Sequence, residues 1–249
     1  MRRWKGGESI SGIDVNIGLE SEVPSTGADE LPPWRHEPAA VRPPLAWERA
    51  KRVIDVALAA VLLVVLAPLL ALIALAIRLD TPGPLLFRQE RYGRWRLPFV
   101  VLKFRTMHDG ASPEAHRLYI AQLAIAGGDD GPGLKKLTGD PRVTRIGAFL
   151  RRTSLDELPQ LVNVLRGEMS IVGPRPALPY ELEHYAPEEY ARFAVRPGLT
   201  GLWQVSGRNE IGFRGMLSLD AEYARITSPR VDAMILLRTP LALLRGNAA

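Results

Sequence analysis

The sequence predicts a helix-dominated α+β protein: one long apolar helix that meets a membrane, joined to a domain with amphipathic helices and a small sheet. Three observations carry this expectation. The run from Val53 to Ile77 is apolar apart from Asp55. The segment from Asp156 to Arg166 places leucine and valine at helical spacing, and Phe99 to Met107 is rich in β-branched and aromatic residues. The 249 residues suffice for one sizeable core with a short appendage.

Composition narrows the chemistry. A net charge of +5 and a pI near 9.7 suit anionic partners such as lipid headgroups, nucleotides, polyprenyl phosphates or nucleic acid. The chain has no cysteine, which removes disulfides, thiolate nucleophiles and Cys-ligated zinc. Its four histidines show no paired ligand spacing, so any metal is expected on carboxylates. No apolar stretch follows the charged first residues as a signal peptide would, and the N-terminus is expected to stay in the cytosol.

Residues 1–46 mix Gly, Ser, Glu and Pro without periodicity and read as a disordered tail. Residues 47–80 read as the membrane helix. About 25 apolar residues rising about 1.5 Å each exceed the roughly 30 Å hydrocarbon core, and no polar face interrupts them. Both flanks are basic: Arg49, Lys51 and Arg52 precede the segment, and Arg78, Arg88, Arg91, Arg94 and Arg96 follow it. The positive-inside rule therefore wants both ends in the cytosol, which one spanning helix does not satisfy. Pro68 lies near the middle, where its missing N–H and its ring break the hydrogen-bond ladder. A re-entrant helix that bends at Ala67-Pro68 reconciles charge with length.

Residues 81–245 read as the cytosolic domain, opening with the helix-stopping Thr81-Pro82-Gly83-Pro84. A strand is expected over Phe99–Met107, a helix near Glu114–Ala126, and a Gly- and Asp-rich break from Gly127 to Gly133. An amphipathic helix from about Asp156 to Arg166 follows, then a helix around Ala186–Phe193. The stretch from Val231 to Leu244, interrupted by Arg238 and Pro240, suits an interfacial or core-packed helix rather than a spanning one.

The densest chemical signal is Arg151-Arg152-Thr153-Ser154-Leu155-Asp156-Glu157, adjacent carboxylates at a helix start with cations one turn upstream. Two readings stay open on these residues alone. Asp156 or Ser154 can be simply the N-cap, Ser154 with Glu157 forming a Ser-x-x-Glu box; Ser154 puts Pro159 at the fifth helical position, whereas Asp156 puts it harmlessly in the first turn. Alternatively the helix N-terminus and the arginines favour an ionised carboxylate, as a nucleophile or Mg²⁺ ligand requires. Gly173-Pro174-Arg175-Pro176 holds one guanidinium in a stiff turn, and Lys103 and Arg105 alternate on the expected strand so as to share a face. Arg196-Pro197-Gly198-Leu199-Thr200-Gly201 and Gly207-Arg208-Asn209 are loops whose small residues let backbone approach a ligand.

Taken in order, these pieces resemble the monotopic phosphoglycosyl transferases, the bacterial sugar transferase family. The resemblance runs from about Lys51 to Leu244. It is carried by Lys51-Arg52-x-x-Asp55, Gly83-Pro84, Arg88-Gln89-x-Arg91-x-Gly93, Leu102 to Met107, Asp140 to Gly147 and Ser154 to Gln160. It continues through Asn163 to Ser170, Val172 to Pro176, Arg196 to Gly201 and Ser206 to Asn209.

The resemblance implies transfer of a sugar 1-phosphate from a UDP-sugar to polyprenyl (undecaprenyl) phosphate, with UMP released, as the first membrane step of exopolysaccharide or other glycoconjugate assembly. It implies a re-entrant helix broken at Pro68 and a location on the cytosolic face of the bacterial inner membrane, among its lipids. It also implies an Asp-Glu pair with Mg²⁺, or Mn²⁺ in its place. By position Asp156 is the nucleophile and Glu157 the metal ligand, with Asp156 beside it at the metal. Lys103, Arg151 and Arg175 are expected on phosphate oxygens, joined by Arg208 and Asp220, and a homo-oligomer is an expected form. The chain departs from many members in having Ala67, not Ser, before the helix proline, and the short form of the family, without a multi-helix N-terminal region, is the expected one.

Two rival readings differ in kind. A non-enzymatic membrane adaptor of polysaccharide machinery would not need the intact Asp156, Glu157 and Arg175. An ordinary glycosyl transferase would release UDP instead of UMP and typically shows an Asp-x-Asp motif that is absent here. Nucleic acid is not an expected partner, because the arginines flank an apolar segment and lack interleaved aromatics.

Overall fold

A computed structural model describes residues 44–110, 114–125, 140–207 and 211–246. The expected tail lies almost wholly outside the described residues, as do Gly127–Gly133 and Arg208. Helix α1 spans Leu45–Asp80, so residues 45 and 46, assigned to the tail on sequence, open the helix instead. Among the described residues it is the one helix long and apolar enough to cross a membrane.

One stripe of α1, through Asp55, Ala59, Ile73 and Ile77, is buried against the rest of the protein. The opposite side exposes Val53, Val61, Val64, Val65, Leu72, Leu75 and Leu79. Apolar packing accompanies both halves of the helix: Ala59 belongs to the core with Leu161 and Val164, whereas Ile73 and Ile77 pack with Phe104 and Leu150. Pro68 sits inside the helix on its exposed side, and the helix continues through it to Asp80. The expected division at Pro68 is therefore not a break in helical structure.

Polar contacts tie each end of α1 to the same domain. Near the start Lys51 pairs with Asp232, and Arg52 donates to the Val164 and Leu165 carbonyls at 2.5 and 2.8 Å. Asp55 accepts from the Ile171 amide at 3.0 Å. At the far end Asp80 accepts from the Ile146 amide at 3.3 Å, and Arg105 donates to the Thr81 and Pro82 carbonyls at 2.7 and 2.6 Å. Arg105 is 5% exposed. Sequence placed it beside Lys103 on an open strand face; it is instead the clamp that fixes the chain where it leaves α1.

Strands β1 (Leu86–Tyr92) and β2 (Pro98–Phe104) form an antiparallel hairpin, with Phe87 opposite Lys103 and Arg91 opposite Phe99. The expected strand over Phe99–Met107 is β2 shifted by a few residues; β1 was not foreseen. After α2 (Glu114–Ile125) come α3 (Arg145–Thr153) and α4 (Gln160–Arg166). Two three-residue strands, β3 (Ser170–Val172) and β4 (Gly198–Thr200), pair in parallel. Helices α5 (Leu202–Val205), α6 (Phe213–Ile226) and α7 (Pro229–Gly246) complete the order. The segment expected as a helix around Ala186–Phe193 is a 3₁₀ helix over Pro187–Ala194. The last apolar stretch forms α7, which buries Ile235 and leaves Leu237 and Leu244 exposed.

Candidate active site

The Asp-Glu pair does not sit at the start of an α-helix. Helix α3 ends at Ser154, whose φ of 59° puts a residue with a side chain in the left-handed region. A single 3₁₀ turn over Leu155–Glu157 follows, and α4 begins only at Gln160, after Pro159. The N-cap role open to Asp156 on sequence is thus corrected: the bend at Ser154 and the Pro159 ring separate the carboxylates from α4. Left-handed backbone at a non-glycine residue persists only where the surroundings hold it, and such positions cluster at functional sites.

Those surroundings are identifiable. Asn163, fully buried in α4, accepts from the Leu102 amide at 3.1 Å and donates to the Val100 carbonyl at 2.7 Å. This staple fixes α4 to β2 and brings the intervening turn to the hairpin. On the other side, α3 approaches the exit of β2 so closely that a Cβ on Gly147 would lie 2.0 Å from the Thr106 carbonyl oxygen.

As a result Lys103 Nζ donates to Glu157 Oε1 at 2.8 Å, with both side chains about one-quarter exposed. Asp156, beside this pair in the chain, is buried. The structure thus brings Lys103 to Glu157, with Asp156 next to Glu157 in the chain. Arg151, half-buried on the last turn of α3, lies five residues before Asp156 across the Ser154 bend.

Arg175 heads a second cluster. Its guanidinium donates to Glu181 Oε1 at 2.7 Å, and its backbone amide donates to Asp220 Oδ2 at 3.1 Å. Arg192 donates to the Arg175 carbonyl and to Asp220 Oδ2, both at 2.6 Å. Asp220 and Arg192 are almost wholly buried. Asp220, expected on substrate phosphate, is instead the buried partner of Arg192 and an anchor for the Gly173–Pro176 turn. Burial pushes its carboxyl up to about 6, the Arg192 charge opposing.

On sequence Arg91 is flanking charge and part of Arg88-Gln89-x-Arg91-x-Gly93, with no site role assigned. In the structure it donates to the Pro176 carbonyl at 2.9 Å and to Gln89 Oε1. Burial first, then the adjacent Arg175 charge, lowers its guanidinium to about 10, while Glu181 and Glu157 act in the opposite sense. Burial opposes ionisation of Glu181, but the Arg175 and Arg91 charges, with hydrogen bonds from Arg175 and the Leu178 amide, outweigh it and leave the carboxyl lowered. Arg91 has a sequence signal in Arg88-Gln89-x-Arg91-x-Gly93, whereas nothing but the Gly-Pro-Arg-Pro turn they support separates Glu181 and Arg192 from surface charges.

The donor set bears on metal chemistry. Asp156 and Glu157 offer hard carboxylate oxygens of the kind Mg²⁺ takes, and Mg²⁺ commonly uses one or two carboxylates with substrate phosphate oxygens and water. Among the described residues no group of three or more His, Asp or Glu side chains forms a metal cage. The residues present fit a metal shared with a bound diphosphate.

Comparison with known proteins bears on the chain as a whole. The family model described as bacterial sugar transferase matches residues 46–246. The chain is 44% identical over 222 residues to a UDP-glucose:undecaprenyl-phosphate glucose-1-phosphate transferase of Caulobacter vibrioides, covering 85% of this chain and 76% of the relative. It is 39% identical to the exopolysaccharide production protein ExoY of Rhizobium meliloti, covering 85% of this chain and 92% of the relative. An undecaprenyl-phosphate galactose phosphotransferase of Salmonella typhimurium is 38% identical; the match covers 80% of this chain and 41% of that longer protein.

Proposed function

The chain belongs to the bacterial sugar transferase family, and from that premise we propose that it transfers a sugar 1-phosphate from a UDP-sugar to undecaprenyl phosphate through a covalent Asp156 intermediate, in exopolysaccharide assembly. The observation that carries this reading is the ion pair of Lys103 with Glu157 beside the buried Asp156. A second cationic cluster, around Arg175 and Arg91, supplies further guanidinium charge for a diphosphate.

An Asp156 oxygen attacks the phosphorus that bears the sugar. The bond from that phosphorus to the bridging oxygen breaks, and UMP leaves with the bonding pair. An oxygen of the lipid phosphate then attacks the same phosphorus; the bond to Asp156 breaks, and the carboxylate returns. Two displacements replace one difficult step, so the kinetics are ping-pong. Lys103 and Arg175 orient the diphosphate and stabilise its developing charge, with Arg151 close to the nucleophile in the chain. Glu157, with Asp156, would hold Mg²⁺ or Mn²⁺, which supplies Lewis-acid neutralisation of the diphosphate.

The lipid acceptor requires a site at bilayer depth. Helix α1 supports a monotopic arrangement, because both of its ends are bonded to one domain while its outward side is apolar. On this reading the helix enters the inner membrane from the cytosolic face without crossing it, and Pro68 bends it within the lipid. Supplying membranes with a panel of radiolabelled UDP-sugars tests the function directly. One of them should yield labelled undecaprenyl diphosphate sugar with stoichiometric UMP; release of UDP instead would overturn the reading.

A further inference from the structure

The tip of the β1–β2 hairpin has an unusual construction. Trp95 and Arg96 both have positive φ, 59° and 55°, so two successive residues with side chains occupy the left-handed region. Such backbone is costly, and glycine or asparagine would relieve it. The strain does not serve to bury the tip: Trp95 is 47% exposed and Leu97 is 63% exposed. Instead it turns an indole and a leucine outward together.

Three contacts fix where they point. Arg94 forms an ion pair with Glu48, in the first turn of α1, at 2.5 Å. Its Nε donates to the Ala194 carbonyl at 2.9 Å, and Arg96 lies over the Tyr190 ring at 5.7 Å. The tip is therefore tethered to the end of α1 that carries Trp47, Arg49, Lys51 and Arg52, a few residues before the apolar run. Trp with Arg beside an apolar helix is the composition of a membrane–water interface, and Arg49, exposed there, complements anionic headgroups.

We propose that the hairpin tip Trp95–Leu97 is a second membrane foot, inserting its indole and leucine at headgroup level next to the start of α1. The occupant is the lipid bilayer itself. The tip is tied to the first turn of α1, and as a second point of attachment it would set the tilt of the domain on the bilayer. This inference rests on the reading that α1 lies in the membrane, and the test separates the two.

Because the chain has no cysteine, single cysteines are placed by Leu97→Cys, Val64→Cys and Glu90→Cys and carry a nitroxide. The full chain is reconstituted in vesicles of phosphatidylcholine with phosphatidylglycerol. Collisions with oxygen and with a water-soluble nickel chelate then report depth. The expected result is lipid-like accessibility at Val64 and Leu97 and water-like accessibility at Glu90, with nickel collisions at Leu97 several-fold below those at Glu90. If Leu97 is as nickel-accessible as Glu90 while Val64 remains in lipid, the second foot is overturned and the membrane helix survives. Nickel access at Val64 as well would overturn both.

Discussion

Lys103 on β2 and Glu157 in the turn before α4 are 54 residues apart in sequence, yet their side chains meet at 2.8 Å. The pair is partly open to solvent, so its contribution to stability is small and its geometry matters more. Lys103→Met should leave the melting temperature within a degree or two while lowering turnover on the order of 10²- to 10³-fold, as loss of one preorganised charge does. Measuring UMP release and thermal unfolding on the same preparations checks this. Unchanged turnover would remove Lys103 from the site.

The Arg192–Asp220 pair should behave oppositely. Both groups are buried, and Arg192→Met strands a carboxylate that also accepts from the Arg175 amide. Breaking a buried pair from one side costs about 3–5 kcal/mol. The expected outcome is a markedly lower unfolding midpoint in urea. A midpoint within error of the parent would mean that the pair does not anchor the Gly173–Pro176 turn.

The same pair sets an acid limit. Asp220 titrates near 6, above its ordinary value of 3.8. Between these values the native chain binds a proton that the unfolded chain has released, so the Asp220 contribution to stability is full below 3.8 and is lost as pH rises through about 6. Activity moves the other way: protonation removes the charge that holds Arg192 and the Arg175 backbone, so turnover should fall as pH drops below about 6. Asp220→Asn mimics the protonated form and should be slow throughout, with a weakened acid limb between pH 5 and 7. A limb identical to the parent would assign it to another group.

How much of this was legible in sequence depends on what each charge does. Helix α1 and helix α4 announce themselves by an unbroken apolar run and by Leu158, Leu161, Val162 and Leu165 at helical spacing. Strand β1 did not, because Arg88, Gln89, Glu90 and Arg91 look like solvent-facing charge, whereas Arg91 is buried against Pro176. Helix α3 is nine residues long with Gly147 in its first turn, too short and too interrupted to register. The Asp156-Glu157 pair stands out in the sequence, but the backbone that carries it does not. Only tertiary packing of α3 and α4 on β2 reveals that Ser154 is left-handed and that the carboxylates precede α4 rather than cap it. Asp220 shows the converse error: a carboxylate expected on substrate is committed to a buried arginine.

Topology follows from the attachment of both ends of α1 to one domain. Cysteines introduced singly by Glu48→Cys and Thr81→Cys should resist a membrane-impermeant thiol reagent in intact cells and react after permeabilisation. Periplasmic labelling of either position would show that the helix spans. Pro68→Ala should favour a straight helix and increase labelling at one end.

The covalent intermediate separates two displacements from direct attack by the lipid phosphate. Without acceptor lipid, incubation with the correct UDP-sugar should release about one UMP per active site, because the first displacement completes and the second has no nucleophile. Protein mass should rise by one sugar phosphate on the peptide containing Asp156. Asp156→Asn should abolish both signals. The substitution nearly preserves the volume of a buried side chain that caps no helix in this fold, so the fold should persist and thermal unfolding should stay close to the parent. Glu157→Gln should also fold; if its carboxylate holds the metal, the variant needs higher Mg²⁺ for turnover, and treatment with EDTA should stop the parent. An adduct that maps to Glu157, or an Asp156→Asn variant that keeps substantial turnover, would reassign the nucleophile while leaving the family membership untouched. A burst of UMP from the parent, absent in Asp156→Asn and restored by no concentration of metal, would establish Asp156 as the residue that carries the phosphosugar.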